Sequence, residues 1–328
     1  MQARFITVAC MLGMLAATPQ AATAQDAGDY PNRAVRIIVP YPAGGSTDIL
    51  TRLLGQGLTQ RWGQAVVVEN RGGASGIIGT EAAARAEPDG YTLLMNGSGP
   101  HTVNISLFDK LSYDPVRDFA PVVRGMTIPL LMVAPTDAPY NDVKSFIAWA
   151  EQNKDTANYC SIGPGSPSHL AGELFKSMSG LNDLTHVPYR GSGPAIIDTI
   201  AGTCHMMFDA ALSSGPQVRN GKMKLLAIGT EQRDPSWPDT PTVSESGLPD
   251  FGAYTWSGLF APAGTPAAVV KKIQEDADAV LRSDGVRKAL LEQGAQAGGG
   301  TSEELAQFVD SEIAKWAKVI KDGNITVN

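Results

Sequence analysis

The chain has 328 residues, of which 43% are hydrophobic and 18% charged, enough apolar material for more than one packed core and too much for a disordered chain. Its formal net charge of −7 opposes long-range attraction to nucleic acid or anionic lipid. Any anionic ligand must be held by local donors.

Arg4 precedes an apolar stretch from Phe5 to Ala17, and Ala22-Thr23-Ala24 follows as a small-x-small cleavage pattern. This predicts an export signal over residues 1–24, a mature start at Gln25 and a periplasmic location. The stretch is shorter than the roughly 20 residues a membrane span needs. Cys10 lies within the apolar core of the signal without the flanking pattern of a lipid-attachment site.

Short β-branched runs then alternate with amphipathic helical stretches, the pattern of parallel sheets with crossover helices. Val35–Tyr41 reads as a strand; after Pro42-Ala43-Gly44-Gly45, Ser46 is the expected helix cap, and Ile49/Leu50, Leu53/Leu54, Leu58 and Trp62 form one apolar stripe. Strands follow at Ala65–Glu69 and Tyr91–Met95, separated by the glycine-rich turn Asn70–Gly76 and a helix over Ile77–Ala86. A second series places strands at Leu130–Ala134, Tyr159–Ile162, Thr185–Tyr189, His205–Phe208 and Leu225–Ile228. Helices are expected at Val143–Glu151, His169–Ser179 and Ala195–Ala201. The tail carries a strand at Tyr254–Ala261 and helices at Ala267–Leu281 and Glu303–Ile320, expected to return to the first lobe. The organisation predicted is lobe 1 from residues 25–126 plus 255–328, lobe 2 from 127–254, and a ligand cleft between them.

Beyond the signal two cysteines remain, Cys160 and Cys204. In an oxidising compartment they either pair or persist as two buried thiols, and the sequence leaves both open. No Cys-x-x-Cys spacing occurs and the histidines are scattered, so neither a metal nor another cofactor is expected.

Chemistry is expected where strand C-termini meet helix N-termini, because unpaired N–H groups and the helix dipole favour anions there. Two loops qualify: Tyr41–Asp48, and Ser161–His169 in the opposite lobe. Neither fits a dinucleotide fingerprint or a phosphate-binding P-loop. Asp209 is a further candidate, either accepting from a ligand or capping the next helix. Ser98 either faces the cleft or stabilises its own turn. Trp256 supplies either a cleft wall or core. Ser166 or Ser168, His169 and Asp209 also supply the atom types of a hydrolase triad, but no Gly-x-Ser-x-Gly elbow is present, and adjacent Ser168 and His169 at a helix start would point apart.

Several segments together carry a resemblance: Tyr30-Pro31, the Tyr41–Asp48 loop, Glu69-Asn70-Arg71, Pro88-Asp89-Gly90-Tyr91, Asp118-Phe119-Ala120-Pro121-Val122, Ser168-His169-Leu170-Ala171-Gly172-Glu173, His186-Val187-Pro188-Tyr189, Pro238–Thr242 and Ala261–Pro266. The chain resembles the tripartite tricarboxylate transporter substrate-binding proteins, the Bordetella uptake gene family, nearly end to end. Cys204 and His205 depart from the pattern of many relatives.

The resemblance implies an α/β fold of two Rossmann-like lobes joined by two crossing segments, the type II periplasmic-binding-protein or Venus-flytrap fold, with crossings near Gly125–Pro129 and Phe251–Trp256. It implies a non-enzymatic receptor, monomeric, that captures a small carboxylate (a di- or tricarboxylate, acidic amino acid or aromatic acid) for integral membrane transporter subunits. A sensor feeding a membrane signalling system is the alternative. Carried over by position, Tyr41, Ala43, Gly44, Gly45 and Thr47 hold one carboxylate, with Ser166, Ser168 and His169 facing it.

Overall fold

The computed structural model describes residues 28–326; the expected signal segment, with Cys10 and the cleavage site, lies outside the described residues. Strand β1 (Val35–Val39) is followed by α1 (Ser46–Trp62), β2 (Val66–Asn70), α2 (Ile77–Ala84) and β3 (Thr92–Gly97). β1 pairs in parallel with both β2 and β3, the arrangement expected for β-branched runs linked by crossover helices. Leu50, Leu54 and Leu58 form the buried stripe of α1. Gly63 ends that helix in the left-handed region at φ 66°, a conformation that glycine adopts without a Cβ penalty.

A π-helical turn over Gly99–Val103 then runs into α3 (Asn104–Leu107) and the long strand β4 (Phe119–Pro135). The second series is α4 (Val143–Gln152), β5 (Asn158–Ser161), α5 (Pro167–Ser179), β6 (Thr185–Pro188), α6 (Ser192–Ile200), β7 (Met206–Ala210), α7 (Ala211–Arg219) and β8 (Met223–Ile228). The chain closes with β9 (Tyr254–Pro262), α8 (Ala267–Leu281), α9 (Asp284–Glu292), β10 (Gln296–Gly299) and α10 (Ser302–Asp322).

β4 is the spine. Its first part, up to Pro129, pairs antiparallel with β9, and β10 lies on its other side. From Leu130 onward its partners are β7 and β8. One sheet therefore runs β2-β1-β3-β9-β4 and the other continues β4-β7-β5-β6. The exchange of partners falls where Pro129 opposes Tyr254, inside the two expected crossings.

Each sheet has its own core. Val35, Ile37, Leu50, Leu54, Leu93, Ile273 and Leu281 fill one; Met132, Phe146, Tyr159, Phe175, Phe208 and Phe251 fill the other. The tail departs from expectation at α10. Leu305 and Val309 pack with Ile38, Leu94 and Phe260 beside the first sheet, but Trp316, Val319 and Ile320 belong to the core of the second. With 21 residues, at roughly 1.5 Å per residue, the helix is long enough to lie along both.

Cys160 and Cys204 are joined as a disulfide with Cα atoms 5.8 Å apart, which resolves the alternative the sequence left open. Among the described residues no helix is long and apolar enough to cross a membrane.

Candidate functional site

The first loop works through its backbone. Gly45, not Ser46, is the cap residue of α1, and no side chain caps the helix; Ser46 is the first helical residue. Among the described residues, no acceptor takes the amides of Gly45, Ser46 or Thr47. A helix start whose N–H groups lack partners carries partial positive charge along the helix axis. Gly44 differs: its N–H donates to the Asp48 carboxylate at 2.9 Å, so it has no hydrogen left for a ligand. Asp48 also accepts from Arg52 Nε at 3.0 Å and Asn70 Nδ2 at 3.0 Å. Burial works against its ionisation, but the bonds from Arg52, Gly44 and Asn70 outweigh it and hold the carboxyl below the usual range. The carboxylate thus stiffens the loop from beneath while Arg52 offsets its charge.

The second loop spends its donors on itself. Ser166 caps α5 by accepting from the His169 amide at 3.2 Å, and its hydroxyl donates to Gly163 O at 2.6 Å. The Gly165 amide donates to His169 Nδ1 at 3.0 Å, and the Gly163 amide to Ser161 Oγ at 3.2 Å. His169 stacks on His186 with ring centroids 3.9 Å apart. The symmetry expected of the two loops is therefore only partial: the first offers three consecutive unbonded amides, while in the second the Gly163, Gly165, Ser166 and His169 amides are bonded within the loop and, among the described residues, that of Ser168 has no acceptor.

Both loops line one cleft of about 670 Å³. Of the residues expected to bind ligand, Tyr41, Ala43, Gly45, Thr47, Ser98 and Ser166 line it. Thr47 Oγ1 lies 3.1 Å from Ser257 Oγ, a second hydroxyl in the lining.

Gly44, Ser168, His169 and Asp209 do not belong to the lining. Ser168 is 1% exposed and its hydroxyl is committed to Phe208 O. His169 is turned under its loop by the bond from Gly165. Asp209 lies within β7 and accepts from Ser192 Oγ at 2.8 Å and Ser214 Oγ at 2.6 Å, tying the starts of α6 and α7 together. Burial raises its pKa against these bonds. It neither caps α7 through a side-chain bond nor reaches the ligand space. Ser168, His169 and Asp209 each have other partners, so the atoms of a hydrolase relay are present without the relay.

The cleft also contains residues that the sequence reading passed over. Asn104, Leu107 and Phe108 come from the segment after β3, Met126 and Ile128 from the crossing part of β4, and Thr255 and Ser257 from β9 beside Trp256. Trp256 is both wall and core: it lines the cleft while only 2% exposed. The short period-2 run on β4 could have flagged Met126 and Ile128, since alternate residues share a face.

One buried and one half-buried histidine make the fold sensitive to acid. Desolvation lowers the pKa of His101, 1% exposed, to about 3, and that of His186, beside His169, to about 4, from an ordinary 6.5. Below pH 6.5 the unfolded chain takes up protons that the native state refuses, so stability falls with pH until each folded pKa is reached. For His101 alone the slope approaches about 1.4 kcal/mol per pH unit. Urea midpoints measured from pH 7 to pH 5 are expected to drop, and His101→Leu to flatten that slope; an unchanged slope would refute the assignment.

Residues 50–325 match the model of the tripartite tricarboxylate transporter family receptor. The chain is 34% identical over 313 residues to protein BugT of Bordetella pertussis, covering 95% of this chain and 96% of that protein. It is similar to the Rhodopseudomonas palustris protein Rpa4515, solved with adipate, at 36% identity and TM-score 0.76, covering 91% of this chain and 99% of that one. It is likewise similar to MatC of the same organism, solved with malate, at 36% identity and TM-score 0.71, covering 89% and 100%. The chain belongs to the tripartite tricarboxylate transporter receptor family and is a solute-binding receptor with the α/β periplasmic-binding-protein fold.

Proposed function

We propose that the protein is exported to the periplasm, where it captures a small carboxylate in the cleft and presents it, as a monomer, to integral membrane transporter subunits. The observation that carries this reading is the start of α1: amides at Gly45, Ser46 and Thr47 that have no acceptor among the described residues line a cleft to which no described residue contributes a charged side chain. Such a terminus binds an anion without a basic residue. The relatives solved with adipate and with malate support the same ligand chemistry. Residues 25–126 with 255–328, and residues 127–254, act as the two lobes; a ligand touching both gains its full contact energy only when they close, which shifts the hinge equilibrium. The role is binding, not catalysis.

A thermal-shift screen over di- and tricarboxylates, amino acids and aromatic acids tests this, since a ligand of the native state raises the melting temperature. Gly44→Val is the companion variant. Gly44 sits at φ 87° with open space where a Cβ would point, so the substitution acts through backbone strain and the loop must rearrange. Calorimetry is expected to show at least about tenfold weaker carboxylate binding with the circular dichroism unchanged. Wild-type affinity in this variant would count against the site.

A further inference from the structure

The lining of the cleft fixes more than the preference for a carboxylate. We infer that the ligand is an amine-free carboxylate with an apolar body, and that the site rejects amino acids; the inference rests on the carboxylate reading above. Among the described residues, no Asp, Glu, Lys, Arg or His lines the cleft. An ammonium group drawn into it would lose water and find no counter-charge, and burying a charge without a partner is costly. Asp48, the carboxylate nearest in sequence to the anion-binding amides, is already held by Arg52, Gly44 and Asn70.

The polar groups are also unevenly distributed. Three unbonded amides, of Gly45, Ser46 and Thr47, line the cleft at the start of α1, whereas the facing loop's Gly163, Gly165 and Ser166 amides are bonded within their own lobe and Ser168, whose amide has no acceptor among the described residues, stands outside the lining. One carboxylate therefore has a preformed cradle, and the rest of the molecule meets a wall dominated by Leu107, Phe108, Met126, Ile128, Ile162 and Trp256, interspersed with the neutral polar groups of Ser98, Asn104, Thr255 and Ser257. Apolar walls around a few convergent donors favour an apolar ligand body.

The test is calorimetric titration of the wild-type protein with matched pairs: hexanoate and norleucine, adipate and 2-aminoadipate, with hexanamide and hexylamine as uncharged and cationic controls. The inference predicts that each amine-free acid binds at least 100-fold more tightly than its amino partner. An amino acid binding within tenfold of its partner overturns the inference and leaves the carboxylate reading standing. Binding of hexanamide or hexylamine in preference to hexanoate overturns the carboxylate reading itself. Leu107→Glu, which places a carboxylate on a half-buried position of the wall, is expected to narrow the adipate to 2-aminoadipate ratio at least tenfold; an unaltered ratio tells against the counter-charge argument.

Discussion

Replacing Glu312 by alanine is expected to destabilise the protein by about 3–5 kcal/mol, the range for removing one partner of a buried charged pair. Glu312 lies on α10, 2% exposed. It accepts the indole N–H of Trp256 at 3.1 Å and that of Trp316 at 3.0 Å, and it pairs with Lys315. Lys315 in turn donates to Gly252 O at 3.0 Å, on the approach to β9. One carboxylate thus fastens a cleft wall, a core residue of the second sheet and the crossing strand to a helix that lies along both sheets. Its loss leaves two indole donors without an acceptor in places water does not reach. Urea denaturation reads the stability, and tryptophan fluorescence reads the loosened indoles. Glu312→Gln, which keeps an acceptor oxygen, is expected to lose less. Equal losses for the two variants would show that the charge, and not the hydrogen bonding, carries the effect.

The second large effect concerns the disulfide. Cys160 and Cys204 are 44 residues apart in sequence, so the bridge closes a substantial loop in the unfolded chain. The loop-entropy relation puts its contribution at about 4 kcal/mol. Both cysteines are fully buried, in a cluster with Leu131, Val133 and Met207. The double variant Cys160→Ala/Cys204→Ala should therefore lower the urea midpoint strongly while ligand affinity at the cleft, under conditions where the protein stays folded, changes little. A midpoint within experimental scatter of wild type would mean that residual structure in the denatured chain already restricts this loop.

Much of the architecture was legible because periodicity and turn chemistry agreed. Val35 to Val39 is β-branched at every position but Arg36, and the helix expected at Ala267–Leu281 has the observed bounds. Elements with weak local signals were missed. β10 is Gln296-Ala297-Gly298-Gly299, a composition that disfavours strands; it forms by pairing with β4 across Gln296–Thr127 and Gly299–Arg124. The short α3 is preceded by a π-helical turn that has no familiar pattern, and with it went Asn104, Leu107 and Phe108 of the cleft wall. α10 was read from one apolar stripe, but a stripe does not say that its two ends meet different cores.

At the site, the loops were legible and the direction of their side chains was not. A strand followed by glycine and serine announces a helix start, yet whether Ser168 turns to a ligand or to Phe208 O depends on the neighbouring strand β7. Likewise His169 accepts from the Gly165 amide and stacks on His186, a residue of the neighbouring strand β6. Asp209 had two readings from sequence, ligand contact or helix cap, and tertiary packing selected neither: Ser192 and Ser214 claim its oxygens.

The most direct measurement is a titration of the ¹⁵N-labelled protein with the carboxylate that gives the highest affinity, following the backbone amides of Gly45, Ser46 and Thr47. An acid group seated at the start of α1 predicts that these amide protons move downfield and saturate together at the calorimetric affinity. If the ligand saturates the protein while those three signals stay in place, the carboxylate sits elsewhere and the account fails.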